Sequence, residues 1–535
     1  MEEDYINMNK IAISKSDFEE IIKNNFIYVD KTKYLYEIVK SLEPYYFLSR
    51  PRRFGKTLFV DTLKTFFEGK KELFKGLYVY DQVWDWEEYP IVQLDYNEIE
   101  CTTKEILELE IDEILNKHAD KYGVKLESTR VSSRFNELVE KLSQKYEKGV
   151  VVLIDEYDKP IISHLGKEKD INQETRLNVA KANQEFLKTL YDNLKSLESY
   201  LKTVFITGVS KFSKISIFST LNNLIEIEKE PEFAGILGYT EKELYKYFDN
   251  YFHKLANKYD ITVSEAKSKF KKYYNGFRFT EKKLRVYNPY STGRALNYLR
   301  FDDYWFESGT PSFLVDLIKE KKFDVTELNN LEIGRDEIKA YDLDKLELVP
   351  LLFQTGYLTI KDIEDEIIYT LGYPNYEVER GFSLNLIKSF SKDKIKTPII
   401  HRIKKSLINK EYNQFIEYMK SLFANIANIN IPTGIEEREH FYHTIFYLTG
   451  VLFSDNNLGV DSELLTSDGR IDMVVETEDN VFIIEFKCNQ DAKKAVEQIK
   501  EKHYSDKYKL KDKEIVLIGI NFGTEARNIG EYLIK

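Results

Sequence analysis

Cysteine, methionine and proline are scarce in this sequence, and long hydrophobic runs are missing. Its 535 residues include two cysteines, Cys101 and Cys488, which lie far apart and cannot form a disulfide framework or a cysteine zinc site. A metal would therefore need oxygen ligands. The longest apolar stretch, Tyr442–Phe453, falls short of the roughly 18 residues of a membrane span. Residues 1–10 are acidic at the start and lack a secretory signal pattern, so we expect a cytoplasmic protein without a membrane partner.

Positive charge is in deficit as well. The formal net charge of -12 speaks against a surface coated with nucleic acid, although a local groove can be basic on an acidic protein. With 42% hydrophobic residues, 11 prolines and 23 glycines, the composition excludes a disordered or collagenous chain. At this length we expect two to four domains.

Short apolar runs alternate with amphipathic helical stretches between residues 45 and 240. This alternation is typical of a doubly wound, parallel α/β sheet with buried strands. The expected strands are Tyr45–Leu48, Ile91–Leu94, Val150–Ile154, Val204–Ile206 and Gly235–Gly238.

The remaining chain predicts two further parts. Thr240 to Glu243 fit a capping box that begins a mostly helical region. The strand-like segments Tyr357–Lys361 and Glu366–Leu371 indicate a small winged or hairpin unit, and the pattern from residue 436 onwards is helix, strand, strand, helix, strand. We therefore expect a phosphate-binding domain in residues 1–240, a helical lid with a winged unit in 241–390, and linker helices with a second α/β domain in 391–535.

A strand, loop and helix pattern marks a candidate phosphate site. The loop sequence is Ser-Arg-Pro-Arg-Arg-Phe-Gly-Lys-Thr, and an apolar helical pattern follows it. In such a loop backbone N–H groups hold phosphate oxygens, Lys56 would reach the β- and γ-phosphates of ATP, and the Thr57 hydroxyl would bind Mg²⁺. The complete pattern has another glycine where this chain has Arg50. The expected nucleotide-binding residues of the loop are Arg52, Arg53, Phe54, Gly55, Lys56, Thr57 and Leu58.

A second motif, Val150–Glu156, is an apolar run that closes on two carboxylates. Asp155 at the strand end would lie next to Mg²⁺, and Glu156 would orient and deprotonate an attacking water. The two motifs in this order favour a nucleotide site over a surface turn and an ordinary buried strand. A third expected strand ends near Thr207, which would contact the γ-phosphate or the water, or would only form a turn.

Three arginines leave several roles open. Arg52 and Arg53 would neutralise phosphate charge, act as an arginine finger across the interface of a homo-oligomer, cap the helix against neighbouring acids, or form an ion pair within the domain. Arg294, near the expected lid helix, would be a second γ-phosphate sensor or part of a solvated helix face.

A predicted β-hairpin over residues 467–487 combines two acids with a lysine. Strand alternation places Glu485 and Lys487 on one face, and the short turn brings Asp472 alongside. Mg²⁺ or Mn²⁺ would bind Asp472, Glu485 and the carbonyl of Phe486, while Lys487 would orient or activate the attacking water. Alternatively, a buried ion pair ties the hairpin together.

Several segments resemble a known family: Phe26–Thr32, Arg50–Thr57, Leu153–Asp158 and Ile206–Ser213. They are similar to the AAA-ATPase-like family of bacterial and archaeal proteins that carry a C-terminal PD-(D/E)XK nuclease domain. In that family Arg-Pro-Arg-Arg-Phe-Gly-Lys is the usual phosphate loop. The resemblance implies a P-loop NTPase-type sheet and a lid, in which Tyr287–Tyr290 and Phe306–Pro311 are similar to family segments.

Gly469–Asp472 and Ile484–Lys487 resemble the two core motifs of PD-(D/E)XK nucleases, which implies a restriction-endonuclease-like α/β fold. On that resemblance the preceding helix should supply one more acid, Glu439 in preference to Glu436 or Glu437. The following helix should present Gln498 to the site. His443, close to Glu439, fits packing or orienting better than metal ligation.

Six lysines crowd the last helix and its exit. They would grip a phosphate backbone without reading bases, or would form a solvated helix face between acidic residues. These residues are Lys493, Lys494, Lys500, Lys502, Lys507 and Lys509.

The leading interpretation is an ATP-binding and ATP-hydrolysing protein that controls a metal-dependent phosphodiesterase, and the resemblance favours DNA as the substrate. One alternative is a nucleotide-switched signalling or scaffold protein whose C-terminal domain binds nucleic acid without cleaving it. Another is a plain ATPase that acts on a protein partner. The sequence leaves open DNA against RNA, endo- against exonuclease action, the oligomeric state and the speed of ATP hydrolysis.

Overall fold

The computed structural model divides the chain into two compact units. The first comprises residues 1–307, 312–316 and 332–375, and the second comprises 308–311, 317–331 and 376–535. The structure describes residues 10–41, 43–165, 175–210, 217–218, 220–221, 223–308, 312–339, 347–391, 397–426, 435–454, 458–466, 469–523 and 527–535. Parts of the expected segments lie outside the described residues, namely 1–9, 211–213, 309–311 and 467–468. Within the described ranges no helix is long and apolar enough to cross a membrane.

The first unit alternates strands and helices along most of its length. Its strands are β1 Lys10–Ile11, β2 Phe26–Ile27, β3 Tyr45–Ser49, β4 Ile91–Asp95, β5 Val150–Asp155, β6 Leu201–Gly208, β7 Ile225–Glu226, β8 Tyr239–Thr240, β9 Val286–Tyr287, β10 Leu331–Gly334, β11 Thr359–Glu364 and β12 Ile368–Gly372. The helices up to residue 375 are Phe18–Lys23, Thr32–Lys40, Lys56–Phe67, Lys104–Tyr122, Val131–Tyr146, Lys159–Ile162, Arg176–Tyr191, Glu241–Tyr259, Val263–Tyr274, Pro289–Tyr298, Ser312–Glu320 and Leu348–Thr355.

A parallel five-stranded sheet forms the centre of this unit, as the alternating pattern predicts. Its order is β4-β5-β6-β3-β7, and every neighbouring pair is parallel. All residues of β3 and β5 are buried, which explains their nearly continuous apolar sequences. The prediction of a strand at Gly235–Gly238 is wrong. Gly238 has φ +80°, which an extended strand does not allow, and the edge strand is β7 instead.

The expected capping box is present at the start of helix Glu241–Tyr259. The Thr240 hydroxyl accepts from the Glu243 N–H, and the Glu243 carboxylate accepts from the Thr240 N–H. Both contacts satisfy N–H groups that a helix start leaves open. The expected strands around residues 357–371 are also confirmed as the antiparallel hairpin β11–β12, and β10 pairs with β12 to complete a three-stranded sheet.

The second unit is a mixed α/β domain. Its helices are Tyr376–Phe390, Thr397–Ile408, Tyr412–Ala424, Ile435–Phe453 and Ala492–Glu501, and its strands are β13 Gly459–Thr466, β14 Gly469–Glu476, β15 Asn480–Cys488, β16 Glu514–Gly523 and β17 Asn528–Ile534. The sheet order is β13-β14-β15-β16-β17, in which β15 and β16 are parallel and the other pairs antiparallel. The predicted hairpin is confirmed as β14–β15. The predicted pattern omits the two edge strands, β13 and β17.

Candidate functional site

The loop that joins β3 to helix Lys56–Phe67 holds the lysine of the first motif at its centre. Gly55 immediately precedes the helix with φ +91°, a left-handed conformation that glycine adopts without strain. The Lys56 ammonium group donates to the carbonyls of Arg50 and Pro51 at 3.0 and 3.2 Å. It also lies 3.1 Å from a carboxylate oxygen of Glu156. Thus the loop lysine and the second carboxylate of the β5 motif are in direct contact.

Asp155 at the end of β5 is fully buried beside two hydroxyl groups. One of its carboxylate oxygens accepts from the Thr207 hydroxyl, and Oδ2 has no hydrogen-bond partner among the described residues. Burial and the neighbouring charge of Glu156 raise the pKa of Asp155 to about 6, against the opposing effect of the Thr207 and Thr57 hydroxyls. A buried carboxylate oxygen without a partner, next to the hydroxyl of Thr57, fits a hard cation such as Mg²⁺.

Two carboxylates follow Asp155 with different surroundings. Glu156 adopts φ 54°, its N–H donates to the Thr207 hydroxyl at 3.4 Å, and its side chain keeps 16% exposure, so it remains accessible to a ligand. Asp158, which the sequence reasoning missed as a site residue, is fully buried and accepts from the N–H and hydroxyl of Ser210 at 2.6 and 2.7 Å. It thereby fixes the end of β6. The sequence feature that could have pointed to Asp158 is that it is a third acid soon after Asp155.

The arginines of the loop do not all face the same way. Arg50 is buried with its guanidinium 4.3 Å from the ring centre of Phe279. The Arg53 guanidinium lies 3.8 Å from the ring centre of Tyr290, whereas Arg52 is exposed. The roles expected from the sequence involve phosphates, acids or a second subunit. The structure adds packing against aromatic rings for Arg50 and Arg53.

Residues of the loop and of helix Pro289–Tyr298 have these contacts. Phe54 is buried against Phe277 and Phe279, and Leu58 is partly buried in the first turn of the helix. Arg294 donates to the hydroxyls of Tyr290 and Tyr298 at 3.2 and 2.8 Å.

In the second unit, β14 and β15 bring two acids together. Met473 pairs with Ile484, so Asp472 and Glu485 follow at the next position of the antiparallel register. An Asp472 carboxylate oxygen accepts from the Phe486 N–H at 2.8 Å. Glu485 is fully buried, its Oε2 accepts from the Gln498 side chain at 3.1 Å, and its Oε1 has no hydrogen-bond partner among the described residues.

The electrostatics of this cluster depend on burial. Burial first, then the charge of Asp472 and a side-chain interaction with its carboxyl group, raise the pKa of Glu485 well above its usual value, while Lys487 acts in the opposite direction. Glu439 is half-buried on helix Ile435–Phe453, and its pKa is raised above the usual value. Burial and the charge of Asp472 raise this pKa, and Lys487 opposes them only in part. Hence Glu439, Asp472, Glu485 and Lys487 share one electrostatic environment.

The side chains near Asp472 and Glu485 supply few ligands for a metal ion. In the ranges that the structure describes, no group of three or more His, Cys, Asp or Glu side chains is arranged to hold a metal ion. A cation at Asp472 and Glu485 would therefore need further oxygen ligands, which the Phe486 carbonyl and water can supply. The unpartnered Glu485 Oε1 is the oxygen best suited to such a cation.

Two neighbours complete the cluster. The His443 ring nitrogen Nε2 lies 2.8 Å from the Asp472 carbonyl, a contact that joins helix Ile435–Phe453 to β14. Tyr504, which the sequence reasoning missed, is buried and interacts with Gln498, and burial and the charge of Glu485 raise its pKa. An aromatic residue just after the helix that carries Gln498 was the only signal in the sequence.

The lysines around the last helix are exposed. Lys493 pairs with Glu497 at 3.6 Å, and Lys509 pairs with Asp506 at 2.6 Å. For these two residues the geometry favours a solvated face interleaved with acids.

Comparisons with known proteins match two parts of the chain. The model of a predicted AAA-ATPase family, AAA-ATPase-like, matches residues 11–218, and a PD-(D/E)XK nuclease superfamily model matches residues 437–532. An uncharacterised protein in the vnfD 5′ region of Azotobacter chroococcum mcd 1 is 31% identical over 540 residues, a match that covers 98% of this chain and 99% of that protein. Both resemblances seen in the sequence are confirmed.

Proposed function

Since the chain belongs to the AAA-ATPase-like family and carries a C-terminal domain of the PD-(D/E)XK nuclease superfamily, we propose that it is an ATP-controlled DNA nuclease. In this proposal residues 1–240 bind and hydrolyse ATP, residues 241–390 form a lid and winged unit, and residues 391–535 carry a metal-dependent phosphodiesterase. The pairing of an ATPase-like with a nuclease-like domain supports this assignment. The control by nucleotide and the choice of DNA are our inference.

The nucleotide site would use residues that already face one another. Lys56 would exchange its loop carbonyls for phosphate oxygens, and this exchange would release Glu156 from the 3.1 Å ion pair. Glu156 could then orient and deprotonate the attacking water. Thr57 and Asp155 would hold Mg²⁺, which neutralises charge on the β- and γ-phosphates when bound.

The observation that carries the nuclease proposal is the state of Glu485. Glu485 is fully buried against a second carboxyl group, Asp472, and its Oε1 accepts no hydrogen bond from Lys487; this arrangement costs stability and is not one that a structural ion pair would need. Asp472, Glu485 and the Phe486 carbonyl would hold Mg²⁺ or Mn²⁺, which polarises a phosphodiester. Lys487 would orient the attacking water, and Gln498 would fix the Glu485 carboxylate.

The test is cleavage of linear and circular DNA with Mg²⁺ or Mn²⁺, in the presence and absence of ATP. We compare the parent with Asp472→Ala, with Lys56→Ala and with Asp479→Ala, an exposed acid in the turn of the same hairpin. We expect cleavage to be lost in Asp472→Ala, retained in Asp479→Ala, and altered by ATP only when Lys56 is present. Cleavage that survives Asp472→Ala, or that ignores both ATP and Lys56, contradicts the proposal.

A further inference from the structure

The phosphate loop is held from its outer side by aromatic residues of the same unit. We call Phe277, Phe279, Tyr290 and Trp305 the aromatic collar. The Phe54 ring lies edge-on to Phe277 and Phe279 at 4.9 and 5.4 Å between ring centres. The Trp305 indole N–H donates to the Arg52 carbonyl at 3.4 Å. Side chains and main chain of the loop therefore both contact the collar.

The two inner arginines strengthen this attachment. Arg53 places its guanidinium 3.8 Å from the centre of the Tyr290 ring and donates to the Tyr304 carbonyl at 2.7 Å. Arg50 lies over Phe279 at 4.3 Å, and its Nε and one terminal nitrogen have no hydrogen-bond partner among the described residues. Its other terminal nitrogen donates to the Ser49 carbonyl at 3.0 Å, and the charge of Glu228 also acts on it, so the ring face of Phe279 adds to the contacts of this deeply buried cation.

The same loop supplies the carbonyls that Lys56 uses. The carbonyl acceptors belong to Arg50, which lies over Phe279 of the collar, and to Pro51. A Cβ on Gly356 would lie 2.7 Å from the Pro51 ring, so Pro51 has little room to move without displacing its neighbours. A ligand that draws Lys56 away from these carbonyls removes two hydrogen bonds that hold Arg50 and Pro51 in the loop.

We propose that the phosphate loop is a coupling element, in which the Arg53–Tyr290 stack transmits the occupation of the loop by a nucleoside triphosphate to the collar. Phosphate binding draws Lys56 off the loop carbonyls, the loop adjusts, and the stack carries the adjustment to helix Pro289–Tyr298. This inference rests on the proposed nucleotide binding and adds a mechanism for its regulation.

The collar is in turn joined to the hairpin β11–β12. Arg278, between Phe277 and Phe279, donates its N–H to the Thr359 hydroxyl at 2.7 Å, and its carbonyl accepts from the same hydroxyl at 3.0 Å. A Cβ on Gly276, which has φ +129°, would lie 1.9 Å from the Pro374 carbonyl oxygen. A displacement of the collar would therefore move this hairpin, and a change in the loop would reach the hairpin through the collar.

Trp305 offers a direct readout of the collar. The chain has three tryptophans, so a Trp84→Phe/Trp86→Phe background leaves Trp305 as the single indole. Trp305 is 7% exposed and contacts the loop through its N–H. We expect ATP to change the emission of Trp305, and equilibrium dialysis with labelled ATP measures binding independently of that emission.

Variants of Tyr290 then separate coupling from binding. Tyr290→Leu removes the ring face under Arg53, and we expect the emission change to be lost while the ATP dissociation constant changes by about threefold or less. Tyr290→Phe keeps the ring face and should keep the emission change, which distinguishes a lost stack from a misfolded helix. Tyr259→Leu, which alters a tyrosine of another helix that packs on Phe301, is the matched control.

The outcomes are distinguishable. Bound ATP without any change in Trp305 emission overturns the coupling proposal and leaves the nucleotide proposal intact. An emission change that persists in Tyr290→Leu overturns the role of the stack. If the parent does not bind ATP in the dialysis experiment, both proposals fail together.

Discussion

The close approach of helix Ala492–Glu501 to β16 depends on Gly519. A Cβ at this position would lie 2.4 Å from the Ala492 carbonyl oxygen and 2.9 Å from a methyl group of Val496. Because the nearest atom belongs to the helix backbone, a side chain cannot rotate away to make room. We predict that Gly519→Ala pushes the helix off the sheet and displaces Gln498, which the helix carries.

The size of the effect follows from the distances. Ordinary van der Waals contact begins at 3.4 Å, so the helix must move by about 1 Å from its position at 2.4 Å. The hydrogen bond from Gln498 to Glu485 is 3.1 Å long, and a movement of that size would carry it beyond hydrogen-bond length. Overpacking of this kind costs about 1–3 kcal/mol of unfolding free energy, and a misplaced group of about 1 Å costs on the order of 10²-fold in rate.

Thermal unfolding and metal-dependent DNA cleavage are the assays. The matched control is Gly459→Ala in the same sheet, where an added Cβ meets no atom within 4 Å. We expect the control to match the parent and Gly519→Ala to lose both melting temperature and cleavage rate. A Gly519→Ala protein with the melting temperature and cleavage of the parent would refute the argument, because the helix would then have tolerated the methyl group in place.

Three further predictions concern buried groups. Lys31 and Glu243 form an ion pair at 2.8 Å with side-chain exposures of 8% and 22%, so Glu243→Gln strands the more deeply buried charge and should cost about 3–5 kcal/mol in denaturant unfolding, more than Lys31→Met. Burial lowers the pKa of His118 below 6.5, so the unfolded chain binds the proton first and stability falls as the pH falls below that value. His118→Gln should flatten this decline in melting temperature. Glu485→Gln should preserve the melting temperature of the metal-free protein and abolish the increase that Mn²⁺ gives the parent.

Each of these three predictions has a contrary result. Equal losses of stability in Glu243→Gln and Lys31→Met would show that the depth of burial does not decide the cost. An unchanged acid slope in His118→Gln would assign the slope to other groups. A Mn²⁺-induced increase that survives Glu485→Gln would place the cation elsewhere.

The buried strands were predictable because burial on both faces leaves a strong sequence signal. β3 and β5 are apolar throughout, and the acids or the loop that follow them mark where each strand leaves the core. The edge strands were not predictable in the same way. β7 has two residues, and β17 mixes one buried residue with exposed and half-buried ones, so neither carries a clear periodicity. The segment Gly235–Gly238 gave the opposite error, a strand predicted where none forms, because its buried apolar residues lie in a turn.

The residues of the candidate sites also fall into a predictable and an unpredictable group. Residues adjacent to a buried strand end, such as Asp155 and Glu485, were placed by local pattern because the strand fixes their position. Contacts between residues distant in sequence were not predictable. Arg53 and Tyr290 meet only through the folding of the unit. Tyr504 reaches Gln498 because the chain turns after the helix, where the Tyr504 N–H donates to the Ile499 carbonyl at 3.1 Å. Nothing in the composition of either segment encodes these partners.

The two candidate sites share a costly arrangement, and the cost argues for ligands at both. Asp155 and Glu485 are each fully buried at or near a strand end, and each keeps one carboxylate oxygen without a hydrogen-bond partner among the described residues. An apolar side chain of similar volume would be more stable at either position. A lysine stands near each carboxylate, Lys56 near Asp155 and Lys487 near Glu485, yet neither open oxygen accepts a hydrogen bond from it. The oxygen that the protein leaves open is thus the one available to a cation.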